Sequence, residues 1–130
     1  MRAIVVRKGG GPDVLTLEEV PDPEPGEGQV LVRVEAAAVN HFDLTQRRDP
    51  AGVGTTVPFT PGVDATASNS KHDKLRALGA ANDAFERLIE LAGTGELRPV
   101  IDRELPLGEA AEAHRLIEAR EVFGKIVLRP

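Results

Sequence analysis

The chain has 130 residues, a formal net charge of −5, 41% hydrophobic residues and no cysteine. The acidic balance excludes a nucleic-acid binder working through a dominant basic surface, and the missing thiols exclude disulfides, thiolate zinc sites and cysteine nucleophiles. No apolar run reaches the length of a membrane span and no signal-peptide pattern opens the chain, so the expected setting is the cytosol, with no membrane and no nucleic acid as partner.

From the N-terminus, the apolar run Ala3–Val6 and the alternating stretch Val14–Val20 predict two strands, with Gly9-Gly10-Gly11-Pro12-Asp13 as the turn between them. Residues Pro21 to Gly28 carry three prolines and predict a surface loop, because proline removes backbone donors from helix and sheet. Gln29 to Val39 predicts the firmest strand of the N-terminal half, on the alternation of Val30, Val32 and Val34. Asn40-His41-Phe42-Asp43-Leu44 breaks that period and predicts one or two helical turns, followed by a mobile Gly/Thr/Pro segment from Asp49 to Gly62. Helices are expected over Lys71–Ala80, over about Asp83–Ala92 with Gly93-Thr94-Gly95 as its end, and over Leu107–Arg120. The apolar side of the last is read as Ala110, Ala111, Ala113, Leu116 and Ile117. Short strands are expected at Val100-Ile101 and Lys125–Leu128.

Few motifs carry chemistry by themselves. Gly52-Val53-Gly54-Thr55-Thr56-Val57 fails as a dinucleotide fingerprint: no strand precedes it, and Pro58 stands where a helix should begin. Gly9-Gly10-Gly11 lacks the lysine and hydroxyl of a phosphate loop, and no serine sits in a nucleophile elbow. The three histidines, His41, His72 and His114, have no metal-ligand spacing. His72 and His114 are read as solvated on helix surfaces, and His41 as part of a capping junction with Asn40 and Asp43. The acidic pairs around Glu18, Asp22 and Glu118 read as solvated surface.

Several strings taken in order say more. The opening Met1-Arg-Ala-Ile-Val-Val, the stretch Pro21-Asp-Pro-Glu-Pro-Gly-Glu-Gly-Gln-Val-Leu-Val-Arg-Val, Ala37-Ala-Val-Asn40-His-Phe-Asp43 and Pro58-Phe-Thr-Pro-Gly-Val-Asp64 together resemble the N-terminal part of medium-chain dehydrogenases/reductases. Leu97-Arg-Pro-Val-Ile-Asp, Pro106-Leu-Gly-Glu-Ala-Ala-Glu-Ala-His and Phe123-Gly-Lys-Ile-Val-Leu128 resemble the return of that superfamily into its GroES-like catalytic domain. The branch it resembles is that of the zinc-free quinone oxidoreductases. Asn40 stands where zinc-dependent members carry a cysteine ligand, and Val63-Asp64 stands where they carry His-Glu, so no zinc is expected.

The resemblance implies an α+β fold built on a partial GroES-like β-barrel with surrounding helices and no complete Rossmann domain. It implies hydride transfer from NADPH to a quinone or enone, with Asn40 as catalytic residue and as cofactor contact at the nicotinamide end. Ala65 to Gly79 resembles a piece from inside the Rossmann domain. By that likeness Ser68, Asn69, Ser70 and Lys71 would meet the adenosine ribose and its 2′-phosphate; a plain polar loop capping a helix is the alternative. The chain therefore divides into an N-terminal part (1–64), a Rossmann-like remnant (65–80) and a C-terminal part (81–130), with internal deletions near Asp64/Ala65 and Ala80/Ala81. The glycine-rich turn that holds a pyrophosphate on a helix N-terminus is absent. The expectation is an oxidoreductase-type chain, inactive or weakly active in this form. The alternative is a non-catalytic GroES-like remnant that self-associates as a homodimer or binds a partner.

Overall fold

The computed structural model describes residues 1–28, 31, 34–62, 87 and 90–130. Strand β1 (Arg2–Val6) and strand β2 (Leu15–Glu19) pair antiparallel, with Ile4 opposite Leu17 and Val6 opposite Leu15. The connection closes on a turn of 3-10 helix at Pro12–Val14, where proline at the first position pre-sets the backbone. Four consecutive residues of β1, Ala3 to Val6, are buried. Such a run needs cover on both faces, which explains why this short stretch reads as continuous apolar sequence rather than as alternation.

Among the described residues of the strand expected over 29–39, only the end is in a strand. Strand β3 is Ala37–Ala38, and the described residues 31 and 34–36 lie outside any ladder, with Leu31 and Val34 exposed. The correction has a physical reason: alternation makes a strand only where a neighbouring edge supplies hydrogen bonds. Here β1 and β2 pair with each other, while strand β5 (Lys125–Arg129) pairs with Ala37 and Ala38 and accepts from the Val39 N–H at the Ile126 carbonyl.

Helix α1 (His41–Arg48) follows, with Asn40 at its N-cap. The Asn40 N–H donates to Asp43 Oδ2 at 2.7 Å, the reciprocal half of a capping box. The segment from Asp49 to Gly62, expected to be mobile, is fastened along its length. Asp49 Oδ1 accepts from the Gly52 N–H at 3.0 Å, and Gln46 Nε2 donates to Thr55 Oγ1 at 3.0 Å. Val6 and Phe59 exchange both backbone hydrogen bonds, at 2.9 and 3.1 Å.

The expected helix over Lys71–Ala80 lies outside the described residues. Of the next expected helix, residue 87 and residues 90–94 are helical. It closes on Gly95, which takes a φ of +76°. Strand β4 (Ile101–Pro106), a 3-10 turn at Leu107–Glu109, helix α2 (Ala110–Glu118) and β5 then form a β–α–β unit in which β4 and β5 run parallel. The second sheet has the order β3-β5-β4. Its turn into β5 depends on Gly124, whose φ is +113° and where a Cβ would strike the Val100 carbonyl oxygen.

One core serves both sheets. Ile4, Val6 and Leu15 from the hairpin meet Val39, Leu44, Ile126 and Leu128, and α2 adds Ala110, Ala113 and Ile117. Helix and strand content is thus mixed. Among the described residues the sheets are two- and three-stranded.

Candidate functional site

Asn40 stands half-buried between β3 and α1. The backbone of this N-cap residue is extended, with φ −115° and ψ 160°. Across the chain, Lys125 at the start of β5 donates from Nζ to Asn40 Oδ1. That contact fixes which end of the amide is which, and Asn40 Nδ2 remains buried and without a hydrogen-bond partner. A buried orphan donor of this kind is costly unless something accepts from it. His41 and Phe42, next along, are exposed. Ser68, Asn69, Ser70 and Lys71 lie outside the described residues.

Below Asn40, α1 and α2 meet through charge. Arg47 is 1% exposed, and its Nη2 donates to Glu118 Oε1 at 2.5 Å; Arg48 Nη2 reaches the same oxygen at 3.0 Å. Burial pushes the Glu118 carboxyl up, but the hydrogen bond and charge of Arg47, with Arg48 behind it, outweigh this and hold it below its ordinary range. Arg47 Nε and Nη1 find no partner. His114 lies one turn before Glu118 on α2 and is 2% exposed. Burial, reinforced by the Arg47 cation, lowers its pKa to about 4 against a partial counter-effect from Glu118, so the imidazole is neutral at neutral pH. Its Nδ1 has no partner.

The reading of His114 as a solvated surface histidine is therefore wrong. The spacing could have shown it: Ala110, Ala113, His114 and Ile117 make the i, i+3, i+4, i+7 stripe, and all four are buried. Reading the stripe from apolar residues alone passed over the histidine inside it. Arg47 was missed for the same reason, because a charged residue on a short helix reads as surface until its partner, 71 positions away, is known.

A partly open cavity of about 700 Å³ lies between the hairpin and the second sheet. Its wall is mainly apolar, including Ile4, Leu15, Val39, Leu107 and Leu128, with Asp43 and His114 among its polar members. Asn40 adjoins this space through Val39 and Asp43 but is not part of its wall.

No group of three or more His, Cys, Asp or Glu suited to a metal ion occurs among the described residues. The Asn40 carbonyl is already committed to the Lys125 ammonium, so a zinc ion at that atom would face a cation rather than a second ligand. Among the described residues, the donors around Asn40 do not fit zinc. The orphaned Asn40 Nδ2 is instead a donor suited to a carbonyl acceptor.

The fold and these residues point to the dehydrogenases, and comparison with known proteins bears this out. The model of the zinc-binding dehydrogenase family matches residues 25–128, and the chain belongs to that family. It is 48% identical to an alcohol dehydrogenase of Rhizobium meliloti (strain 1021) over 71 residues, 55% of this chain and 20% of that one. It is 38% identical to the quinone oxidoreductase of Lama guanicoe over 88 residues, 67% of this chain and 25% of that one. The chain thus spans about a quarter or less of the length of these relatives. Among solved structures, a mycobacterial protein complexed with NADPH superimposes with a TM-score of 0.67 at 16% identity, covering all of both chains. The medium-chain dehydrogenase/reductase resemblance read from the sequence is correct. Among the described residues, no helix is long and apolar enough to cross a membrane.

Proposed function

We propose that this chain derives from a zinc-independent, NADPH-dependent quinone or enone reductase, and that these 130 residues alone turn over slowly or not at all. The observation that carries the reading is Asn40. Its carbonyl is held by Lys125 and its buried Nδ2 has no partner, so the amide NH₂ is left as an oriented, uncommitted donor. That donor suits a nicotinamide carboxamide or a substrate carbonyl. Bound NADPH would supply the hydride. The chain's own contribution would be to orient the acceptor and exclude water around it. The NADPH complex of the mycobacterial structural neighbour supports the choice of cofactor, and the quinone oxidoreductase relative supports the substrate class.

The other end of the cofactor is less well provided for. No glycine-rich turn leads a strand into a helix anywhere in the sequence, so the pyrophosphate lacks its usual amide cradle. Ser68 to Lys71 would be left to meet the ribose phosphate unaided. In this reading the chain is a single GroES-like domain working in the cytoplasm, with an N-terminal part (1–64), a Rossmann-like remnant (65–80) and a C-terminal part (81–130). The test is NADPH oxidation by the pure chain with 1,4-benzoquinone. The expected rate equals the enzyme-free rate; sustained turnover abolished by Asn40→Ala would overturn the inactivity.

A second reading rests on a separate observation. Phe123 is 81% exposed, and Val100 and Ile101, beside the turn it occupies, are exposed as well. An apolar cluster at the edge of a sheet favours self-association. A non-catalytic remnant that dimerises would elute from a sizing column at twice the chain mass, and Phe123→Ser would return it to monomer.

A further inference from the structure

In an antiparallel pair the main-chain groups of successive residues face opposite edges of the strand. The Met1 carbonyl accepts from the Val20 N–H at 2.8 Å across the β1–β2 ladder, so Met1, Ala3 and Val5 face β2. Arg2, Ile4 and Val6 therefore turn their N–H and C=O groups to the outer edge. Val6 uses both of its groups there, with Phe59. In that register Pro61 stands where the partner of Ile4 should be. Proline has no N–H to donate to the Ile4 carbonyl, and the ladder stops: Thr60, Pro61 and Gly62 lie outside any strand. Among the described residues, no hydrogen bond reaches the outward main-chain groups of Arg2 and Ile4.

The interrupted ladder borders the cavity of about 700 Å³, which Arg2 and Ile4 line from β1 and Thr60 and Pro61 from the departing chain. The lining is mixed, and an extended peptide is mixed in the same way: it brings polar main-chain groups along its edge and side chains that alternate between two faces. Arg2 shares a face of β1 with Ile4 and Val6, which belong to the core. Its side chain is exposed and has no ion pair among the described residues. Two acidic groups of the wall are engaged elsewhere: Asp22 meets the Met1 ammonium at 2.8 Å, and Asp43 accepts from the Asn40 N–H.

We propose that the outer edge of β1 at Arg2 and Ile4 takes up an extended peptide segment of another protein as an added strand, with an apolar residue opposite Ile4 and an acidic residue opposite Arg2. Strand addition continues the bridge that Val6 and Phe59 begin and supplies the N–H that Pro61 cannot. Its occurrence is independent of the reductase reading and is measured without NADPH.

The test uses the whole chain and the end-blocked, fluorescein-labelled peptide Thr-Val-Thr-Glu-Thr-Val, followed by fluorescence anisotropy. Saturable one-to-one binding is expected. The same peptide N-methylated at its first valine and its glutamate loses two ladder donors and should bind at least roughly tenfold more weakly. Replacing its glutamate by lysine should weaken it about two- to fivefold, and Arg2→Ala should erase that preference. Arg2→Pro removes an outward N–H as well, at the first residue of an edge strand, where proline is tolerated. It should bind the peptide roughly three- to tenfold more weakly than Arg2→Ala. Absence of saturable binding overturns the proposal, and so does equal binding of the N-methylated peptide, which needs no folded variant to be seen. A chain that elutes as a dimer and takes no peptide carries a second copy on this edge, which overturns it too.

Discussion

Between α1 and α2 the contact is charged and close: Arg47 Nη2 sits 2.5 Å from Glu118, deep enough that the guanidinium is 1% exposed. Between the β1–β2 hairpin and the β3–β5–β4 sheet the contact is apolar, one shared core bordered by a partly open cavity of about 700 Å³. Both regions join the N-terminal part of the chain to the C-terminal part, and they do so by opposite means. The helix seam is directional and intolerant of losing one partner. The apolar contact is non-directional, and the cavity beside it is open to another occupant. His114 belongs to both, facing the cavity from the same helix that carries Glu118.

The largest effect should come from breaking the seam. Arg47→Ala leaves Glu118 with Arg48 alone and removes a buried side-chain stem, and should cost about 3 kcal/mol by urea denaturation. A loss below about 1 kcal/mol would mean that the seam contributes little to joining the halves.

Acid should open the same region next. The folded-state pKa of His114, about 4, lies below its ordinary value of 6.5. The unfolded chain therefore binds more protons between these pH values, and stability falls as pH drops from about 6.5 to about 4. The loss is roughly 3 kcal/mol at the lower limit. Glu118, held below its ordinary range by Arg47 and Arg48, adds a further loss as pH falls through the carboxylate range. Urea midpoints across this window should decline steeply in the unaltered chain and more shallowly in His114→Phe. Equal slopes would remove the histidine from the account.

Gly124→Ala should cost about 1 to 3 kcal/mol, because it forces an alanine to a φ of +113° and against the Val100 carbonyl at the entry to β5. The smallest effect should be that of Lys125→Met. Lys125 is exposed and its contact with Asn40 fixes an orientation rather than a core. The thermal midpoint should move by less than about 3 °C.

The sequence was most legible where local rules and tertiary context agree. Asn40 with Asp43 three positions on marks a capping box, and α1 begins there. Ala3–Val6, Val14–Val20 and Lys125–Leu128 have the residues of strands, and each finds a neighbouring edge. Residues 31 and 34–36 adjoin valines that alternate just as well, yet they lie outside the ladders. Alternation records that a surface can be half-buried, whereas pairing is a property of the partner. The family resemblance singled out Asn40 as a candidate, and its N-cap position was legible from the capping-box spacing. Its tether Lys125, the Arg47–Glu118 pair and His114 were not, since each depends on a contact between distant parts of the chain.

The central claim is a folded dehydrogenase-family chain whose provision for the cofactor is incomplete, and its most direct test is the thermal midpoint with and without excess NADPH. A ligand that binds only the native state must raise that midpoint by mass action. A cooperative transition that NADPH leaves unmoved is the predicted result. A rise of several degrees, abolished by Lys71→Ala, would show a working cofactor site and contradict it.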